Sequence, residues 1–165
     1  SFLGVPQSRK RAIFVGVRED LGILPVFPVP ELYQYSMRDA IPDIRTRPGE
    51  HPDEDITKYA IGNEWDAMPP GSNSAKFFKL KKPQINRPCN AILQTIGITG
   101  LPGVCHPYQK RKLSIYEIKR LQTFPDDFRL EGTFAQQCER LGRSVPPVMM
   151  SKIAGAVALK ILGRI

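Results

Sequence analysis

The sequence has few cysteines, few histidines and no long apolar run, and each shortage argues against a class of protein. Its 165 residues include three cysteines and two histidines. Three widely spaced cysteines without a C-x-x-C pair argue against a disulfide framework and favour reduced thiols. Cys105 and His106 are adjacent, but no further ligands lie at metal-binding spacing, so we predict no metal site. Reduced thiols are typical of a cytoplasmic protein, and the longest apolar run, residues 153–159, is too short to span a bilayer, so we expect no membrane partner.

Acidic residues are missing from one long stretch of a chain whose net charge is +8. Residues 19–66 contain eleven acidic and four basic groups, whereas residues 67–116 contain eight basic groups and no acid. Because phosphate contacts release counterions, such a stretch favours a surface that approaches nucleic acid, and a solvated basic face is the alternative. We predict phosphate contacts from the eight basic residues, which are Lys76, Lys79, Lys81, Lys82, Arg87, Lys110, Arg111 and Lys112.

A short helix that ends in a sharp turn is predicted within residues 113–128. Ser114 and Glu117 have the spacing of a capping box, in which each side chain accepts a hydrogen bond from the other residue's backbone amide. We therefore expect a helix to begin directly after Ser114. Because Pro125 disfavours helical backbone at Phe124, the helix should end there.

Apolar patterns predict three strands and a long final helix. Residues 12–17, 76–82 and 91–96 favour strands, the first of them buried on both faces. After two prolines, residues 148–162 carry two adjacent apolar rows at helical spacing, which predict a helix with a broad buried face. Residues 31–40 are able to form a further short helix.

Three motifs resemble those of the cytosine-C5 DNA methyltransferases, in the order in which that family carries them. Residues 4–11 read GVPQSRKR, similar to the family's G-x-P-Q-x-R-x-R stretch before a strand. Residues 114–126 read SIYEIKRLQTFPD and resemble its helix of the type T-x-x-E-x-x-R-L-Q-x-F-P-D. Residues 142–147 read GRSVPP and resemble its G-N-x-V-P-P turn. Together with the segments between them, the motifs cover essentially the whole chain.

The resemblance implies a mixed α/β fold in which the end of a Rossmann-like methyltransferase catalytic domain flanks a small, mainly β, irregular target-recognition domain. Residues 1–21, with the first motif and a strand, would end the catalytic domain. Residues 22–140 would form a proline-rich linker and the target-recognition domain. Within them, residues 67–106 resemble the segment with which the family reads DNA. Residues 141–165 would form a closing turn and a helix that return to the catalytic domain.

The resemblance also implies a reaction and residues for it. In the family a cysteine thiolate attacks C6 of a cytosine rotated out of double-stranded DNA, and S-adenosylmethionine supplies the methyl group to C5. Arg9 and Arg11 would hold the target base, since a guanidinium donates to a base carbonyl and keeps its charge. Arg143, Ser144 and Val145 would border the cofactor. Arg143 stands where the family usually has Asn, so it either pairs with the cofactor's carboxylate or faces solvent.

The nucleophile is expected outside this chain. Pro88-Cys89 imitates the Pro-Cys pair that carries it in the family, but that pair precedes the first motif, whereas this one follows it. We therefore expect the C-terminal part of a prokaryotic restriction-modification enzyme, whose partners are double-stranded DNA and a missing N-terminal catalytic half. A non-catalytic DNA-binding module and a small subunit of a split methyltransferase are the alternatives.

Overall fold

Short helices and irregular segments make up most of residues 2–164, the part of the chain that the computed structural model describes. The α-helices of this part are α1 (Met37–Ala40), α2 (Ala60–Ala67), α3 (Ile115–Leu121), α4 (Phe134–Arg143) and α5 (Pro147–Lys160). Three single turns of 3₁₀-helix accompany them at Glu19–Leu21, Pro52–Glu54 and Leu162–Arg164. Ser1 and Ile165, the outer limits of two predicted domains, lie outside the described residues.

The sheet within residues 2–164 is one antiparallel pair of two-residue strands, β1 (Ser72–Asn73) and β2 (Lys81–Lys82). The mixed α/β class is confirmed, since helices accompany this small sheet, whereas the strands of a mainly β recognition domain are not found among the described residues. Of the predicted strand 76–82, only the last two residues pair. The Ser74 hydroxyl accepts hydrogen bonds from the backbone amides of Lys76 and Phe77, and this local turn competes with a strand ladder.

The other two predicted strands are also absent from the described structure. Residues 94–97 form consecutive turns, in which Ile96 N–H donates to the carbonyl of Leu93 at 3.1 Å. Residues 12–17 are irregular, and no backbone hydrogen bond joins them to the rest of residues 2–164. Phe14 is 92% exposed, so burial on both faces is wrong here. A strand exists only beside a neighbour, and within the described chain residues 12–17 have none.

The capping box predicted for α3 is confirmed, and the same device begins α4. Ser114 N–H donates to the Glu117 carboxylate at 2.8 Å, and Glu117 N–H donates to the Ser114 hydroxyl at 3.3 Å. Thr133 and Gln136 make the equivalent pair at the start of α4. The predicted stop at Phe124 is close, since α3 ends at Leu121.

Two apolar clusters form the core. The larger one brings together α1, α3, α4 and the segment between residues 85 and 104. The smaller one lies under α2, where Ile61, Trp65 and Met68 pack on Leu80. Each fully buried aliphatic side chain contributes about 1.5–3 kcal/mol through the area it removes from water. These clusters set the position of α3, which carries the second motif. We call α3 the corner helix, and the sharp turn that follows it, at residues 122–126, the corner.

Helix α5 is less buried than its two apolar rows predicted. Ile153 is buried, but Met150 is 44% and Leu159 is 79% exposed. By length and mean hydropathy the helical stretch Phe134–Arg164 would suffice to cross a membrane. The stretch breaks between α4 and α5, however, and α5 has only 14 residues, fewer than the roughly 20 that a bilayer requires.

Candidate functional site

Gln7 is buried where the three motifs meet. Its Nε2 donates to Oε1 of Gln122 at 2.7 Å and to the Leu121 carbonyl at 3.3 Å, and its Oε1 accepts from Ile92 N–H at 3.2 Å. Gln122, also buried, donates to the Leu141 carbonyl at 2.7 Å. We call this network of amides the motif junction. Because an unpaired buried amide costs about 1–3 kcal/mol, the junction holds the three motifs together.

Cys89 lies beside the first motif as a structural residue. Its N–H donates to the Pro6 carbonyl, and its carbonyl accepts from Ser8 N–H, both at 2.8 Å. The side chain is fully buried, and burial raises the pKa of its thiol to about 12. Burial likewise raises the pKa of Cys105 and of Cys138 to about 12. A protonated, inaccessible thiol is a poor nucleophile.

The two arginines of the first motif have different surroundings. Nη1 of Arg9 donates to the carbonyls of Ile92 at 2.9 Å and Gly142 at 2.5 Å, so this guanidinium joins the first motif to the closing segment. A Cβ at Gly142 would lie 2.5 Å from the backbone nitrogen of Gln94, which explains the glycine. Arg11 is exposed, and its side chain bonds within residues 2–164 only to the neighbouring Lys10 carbonyl, at 3.5 Å. Arg11 is therefore free to donate to a ligand, whereas Arg9 is largely occupied.

An open cavity of about 580 Å³ lies between the first motif and the closing turn. Ligand pockets are mostly apolar with a few polar groups, and this lining has that character. The predicted cofactor residues Ser144 and Val145 lie at the adjoining turn and do not line the cavity: Ser144 donates to the Leu141 carbonyl at 2.7 Å, and Val145 is 42% exposed. The lining residues include Phe2, Leu3, Val5, Gln7, Ser8, Arg9, Arg11, Pro146 and Met149.

Arg143 does not line that cavity. Its Nε donates to Oε1 of Gln94 at 2.9 Å, and its Nη2 lies 2.7 Å from the carboxylate of Glu139. The side chain is 65% exposed. Of the two positions left open for Arg143, the structure has the solvent-facing one.

Thr123 connects the corner to helix α5 at some conformational cost. Its φ is 60°, in the left-handed region that β-branched residues rarely adopt. Phe124 N–H donates to the Lys119 carbonyl at 2.9 Å and Thr123 N–H to the Arg120 carbonyl at 3.0 Å, the Schellman pattern that normally carries glycine at this position. The Thr123 hydroxyl accepts from Val148 N–H at 3.2 Å, which gives a free amide in the first turn of α5 a partner.

A buried ionic cluster supports the corner helix from the other side. Arg111 makes two hydrogen bonds to the Glu117 carboxylate, at 2.7 and 2.9 Å, and lies 3.4 Å from Glu54. Burial, together with the charge of Arg111, lowers the pKa of His106 to about 4, and burial raises the pKa of Glu54. Neutral His106 donates from Nε2 to the Ile44 carbonyl at 2.8 Å, and its Nδ1 accepts two backbone N–H bonds.

Three of the eight predicted phosphate contacts are wrong, because these side chains are buried. Arg111 belongs to the ionic cluster. Lys82 places Nζ 3.5 Å from the centre of the Trp65 ring and donates to the Trp65 carbonyl at 3.2 Å. Lys112 is 1% exposed and donates to the Ile98 carbonyl. Their partners are backbone carbonyls, an aromatic ring, Glu117 just beyond the acid-free stretch and Glu54 from a distant segment.

The five remaining basic residues lie nearer the surface. Three have polar partners: Lys76 lies 3.5 Å from Glu64, Lys81 donates to Asn73 at 2.8 Å, and Lys110 lies 2.5 Å from Asp66. Lys79 and Arg87 are exposed and form no ion pair with any residue between 2 and 164. These two are the most available to phosphates.

Sequence reasoning missed Gln7, Gln122 and Thr123 as organising residues. The glutamines were visible as motif letters, but nothing in their spacing indicated that they bond to each other. The structure brings together Arg9, Arg11 and Ser144 around the motif junction. Arg143 and the surface lysines lie outside it. In the described part of the chain, no three His, Cys, Asp or Glu side chains come together to hold a metal ion.

Comparison with known proteins agrees with the motifs. A family model described as C-5 cytosine-specific DNA methylase matches residues 1–158. Type II methyltransferase M.BbvI of Brevibacillus brevis is 31% identical over 98% of this chain and 47% of its own length. Type II methyltransferase M.Eco47II of Escherichia coli is 27% identical over 99% of this chain and 45% of its own length. The chain thus spans about half the length of these relatives.

A solved structure shares the fold. It is the crystal structure of a DNA modification methyltransferase encoded within a prophage (E. coli), with a TM-score of 0.71 and 19% sequence identity. The match covers 98% of this chain and 58% of that one.

Proposed function

The chain belongs to the C-5 cytosine-specific DNA methylase family, and from this premise we propose that it forms the DNA- and base-binding part of a DNA (cytosine-5-)-methyltransferase. The observation that supports this most is the motif junction, in which three motifs distant in sequence meet through buried amides. The junction, with the bonds of Ser8 and Arg9, would anchor the backbone just before Arg11 and so place its guanidinium near a substrate. Because the relatives named above are bacterial type II methyltransferases, the proposed place of action is DNA in the cytoplasm of a prokaryotic cell.

Arg11 is the proposed base-holding residue, because its guanidinium is exposed at the edge of the cavity. It would donate to the carbonyl oxygen of a cytosine rotated out of the duplex and offset part of the few kcal/mol that rotation costs. Arg9 is a positioning residue, because its guanidinium joins the segment at Ile92 to the closing turn.

The same cavity has the lining expected for a border of the cofactor site. S-adenosylmethionine would supply the methyl group, and Pro146 and Met149 would exclude water from one side of it. The three cysteines of the chain are buried with raised pKa values, so the nucleophilic thiolate would come from residues outside this chain.

The rest of the enzyme is the proposed partner of two exposed apolar surfaces. Residues 12–17 lack a strand neighbour among the described residues, and α5 exposes Met150 and Leu159. Residues 12–17 would pair as a strand with a sheet of the catalytic half, and α5 would pack against the same half. That half corresponds to the length of the relatives that this chain does not span.

Replacement of Arg11 tests this function in the complete methyltransferase. Arg11→Ala should lower turnover by about ten- to a hundredfold, the loss of one charge-assisted hydrogen bond, and leave DNA affinity nearly unchanged. The control is Arg18→Ala, since Arg18 pairs with Asp20 on the surface and should affect neither quantity. A parallel loss of affinity and turnover in Arg11→Ala would instead make Arg11 a phosphate contact.

A further inference from the structure

Phe78 is an aromatic side chain that the fold presents to solvent. It is 89% exposed, although its neighbour Phe77 packs on the smaller core cluster and Leu80 is fully buried. The turn between them is closed by Leu80 N–H, which donates to the Phe77 carbonyl at 2.8 Å. Because both ends of the turn are anchored in the core, the Phe78 ring is held outward and does not fold back onto the protein.

A groove lies between this turn and the closing turn. Its first part, a cavity of about 210 Å³, is lined by Phe78, Lys79, Leu93 and Thr95. Its second part, about 360 Å³, shares Lys79, Leu93 and Thr95 and extends to Arg143. The two parts therefore adjoin, and Phe78 lies at one end while Arg143 lies at the other.

The groove carries an excess of positive charge. Lys79, Arg9 and Arg143 line its second part, and Lys81 lines its first. The acid in contact with these groups is Glu139, which pairs with Arg143 at 2.7 Å. An exposed aromatic ring beside several cations is the combination that proteins use to bind nucleic acid, since the ring stacks on a base and the cations contact phosphates.

We propose that this groove binds DNA where the base stack is interrupted, with the Phe78 ring stacked on an exposed base and with Lys79 and Arg143 on the neighbouring phosphates. The inference rests on the proposed function, because rotation of a cytosine out of the duplex leaves such an interruption. It assigns Arg143 to DNA and not to the cofactor, in agreement with the position of its side chain outside the larger cavity.

Binding of the 165-residue chain to two labelled DNA duplexes tests the inference. The duplexes are identical except that one contains a single abasic site, which mimics the interrupted stack. The unmodified chain should bind the abasic duplex about tenfold more tightly, in the range that one stacked base provides. Phe78→Ala should lose this preference, and Phe78→Trp should keep it. The matched control is Phe14→Ala, since Phe14 is equally exposed but lies outside the groove.

The cations give an independent arm of the same experiment. Lys79→Gln and Arg143→Gln should weaken binding to both duplexes by similar factors and each reduce the slope of log affinity against log salt by about one. Circular dichroism would verify that every variant folds. A preference that persists in Phe78→Ala, or that disappears in Phe14→Ala, would overturn the role of Phe78. If the unmodified chain bound neither duplex, the proposed function itself would fail along with the inference.

Discussion

The motif junction and the arm formed by residues 12–30 have opposite patterns of burial. In the junction, polar side chains are inside: Gln7 is 1% exposed and Gln122 is fully buried, and both are hydrogen-bonded. In the arm, apolar side chains are outside, with Phe14 92% and Leu24 82% exposed. The chain thus completes its own hydrogen bonds where the motifs meet, whereas the apolar groups of the arm remain without cover from the described residues. The junction is complete within this chain, and we propose that the arm is covered by the rest of the enzyme.

Loss of the Gln122 amide should produce the largest effect on stability. Gln122→Ala removes the buried hydrogen bonds of Gln122 to Gln7 and to the Leu141 carbonyl, which keep only the Leu121 carbonyl and the Ser144 hydroxyl as their respective partners. Each lost bond costs about 0.5–1.5 kcal/mol, and the cavity left by the truncated side chain adds to this, so we expect the free energy of unfolding in urea to fall by roughly 3 kcal/mol. Gln34→Ala, at an exposed position, should change it by less than about 0.5 kcal/mol. Equal effects of the two changes would mean that the junction does not stabilise the fold.

Acid should weaken the other buried polar region, around His106. Its pKa is lowered to about 4 in the fold, so between its ordinary value near 6.5 and pH 4 the unfolded chain binds more protons than the folded one. Stability contributed by His106 is therefore complete above pH 6.5 and is lost as pH falls towards 4, by up to about 1.4 kcal/mol per pH unit. The raised pKa of Glu54 acts in the opposite direction, since its contribution is lost as pH rises through the folded pKa.

A pair of histidine variants isolates the contribution of His106 to the pH dependence of stability. The melting temperature of His106→Gln should depend less on pH between 6.5 and 4 than that of the unmodified chain. His51→Gln, a change at the exposed histidine, should leave the dependence as it was. If both variants retained the full dependence, protonation of His106 would not be its cause.

Thr123 should show a smaller effect that depends on the replacement. Thr123→Val keeps a β-branched residue at φ 60° and loses the hydrogen bond from Val148, so we expect a loss of about 1 kcal/mol. Thr123→Gly loses the same bond but removes a left-handed strain of roughly 1–2 kcal/mol, and its stability should stay within about 1 kcal/mol of the original. Urea unfolding of both variants measures which of the two is more stable. A glycine variant less stable than the valine variant would show that Thr123 is not strained.

The arm should give the smallest change in stability. Phe14→Ser removes an exposed ring, so the free energy of unfolding should change by less than about 0.5 kcal/mol. Binding of a hydrophobic dye should nevertheless decrease, since an exposed apolar patch is its binding surface. A large loss of stability would place Phe14 in the core of the chain in solution and remove the contrast with the junction.

Local signals in the sequence predicted local structure well. The capping box at Ser114 and Glu117 was confirmed because its two bonds join residues three apart. The equivalent box at the start of α4 has the same spacing, at Thr133 and Gln136. The family was identified correctly from its three motifs, because each combines several residue types in a fixed order.

Errors arose where the partner of a residue lies far away or outside the chain. The strand expected at residues 12–17 has no neighbour within the described chain. Lys112 was predicted to contact phosphate, but it is buried against the carbonyl of Ile98, and no local pattern indicates that contact. The bond between Gln7 and Gln122 spans 115 positions, so the motif junction became visible only in the fold.

We propose that this chain binds DNA and the target base but does not carry the nucleophile. Incubation of the 165-residue chain with duplex DNA and S-adenosylmethionine labelled in its methyl group tests both parts in one sample. We expect salt-dependent binding of the duplex and no label on cytosine above background. Label at cytosine C5 in the presence of this chain alone, or the absence of any binding to the duplex, would contradict it.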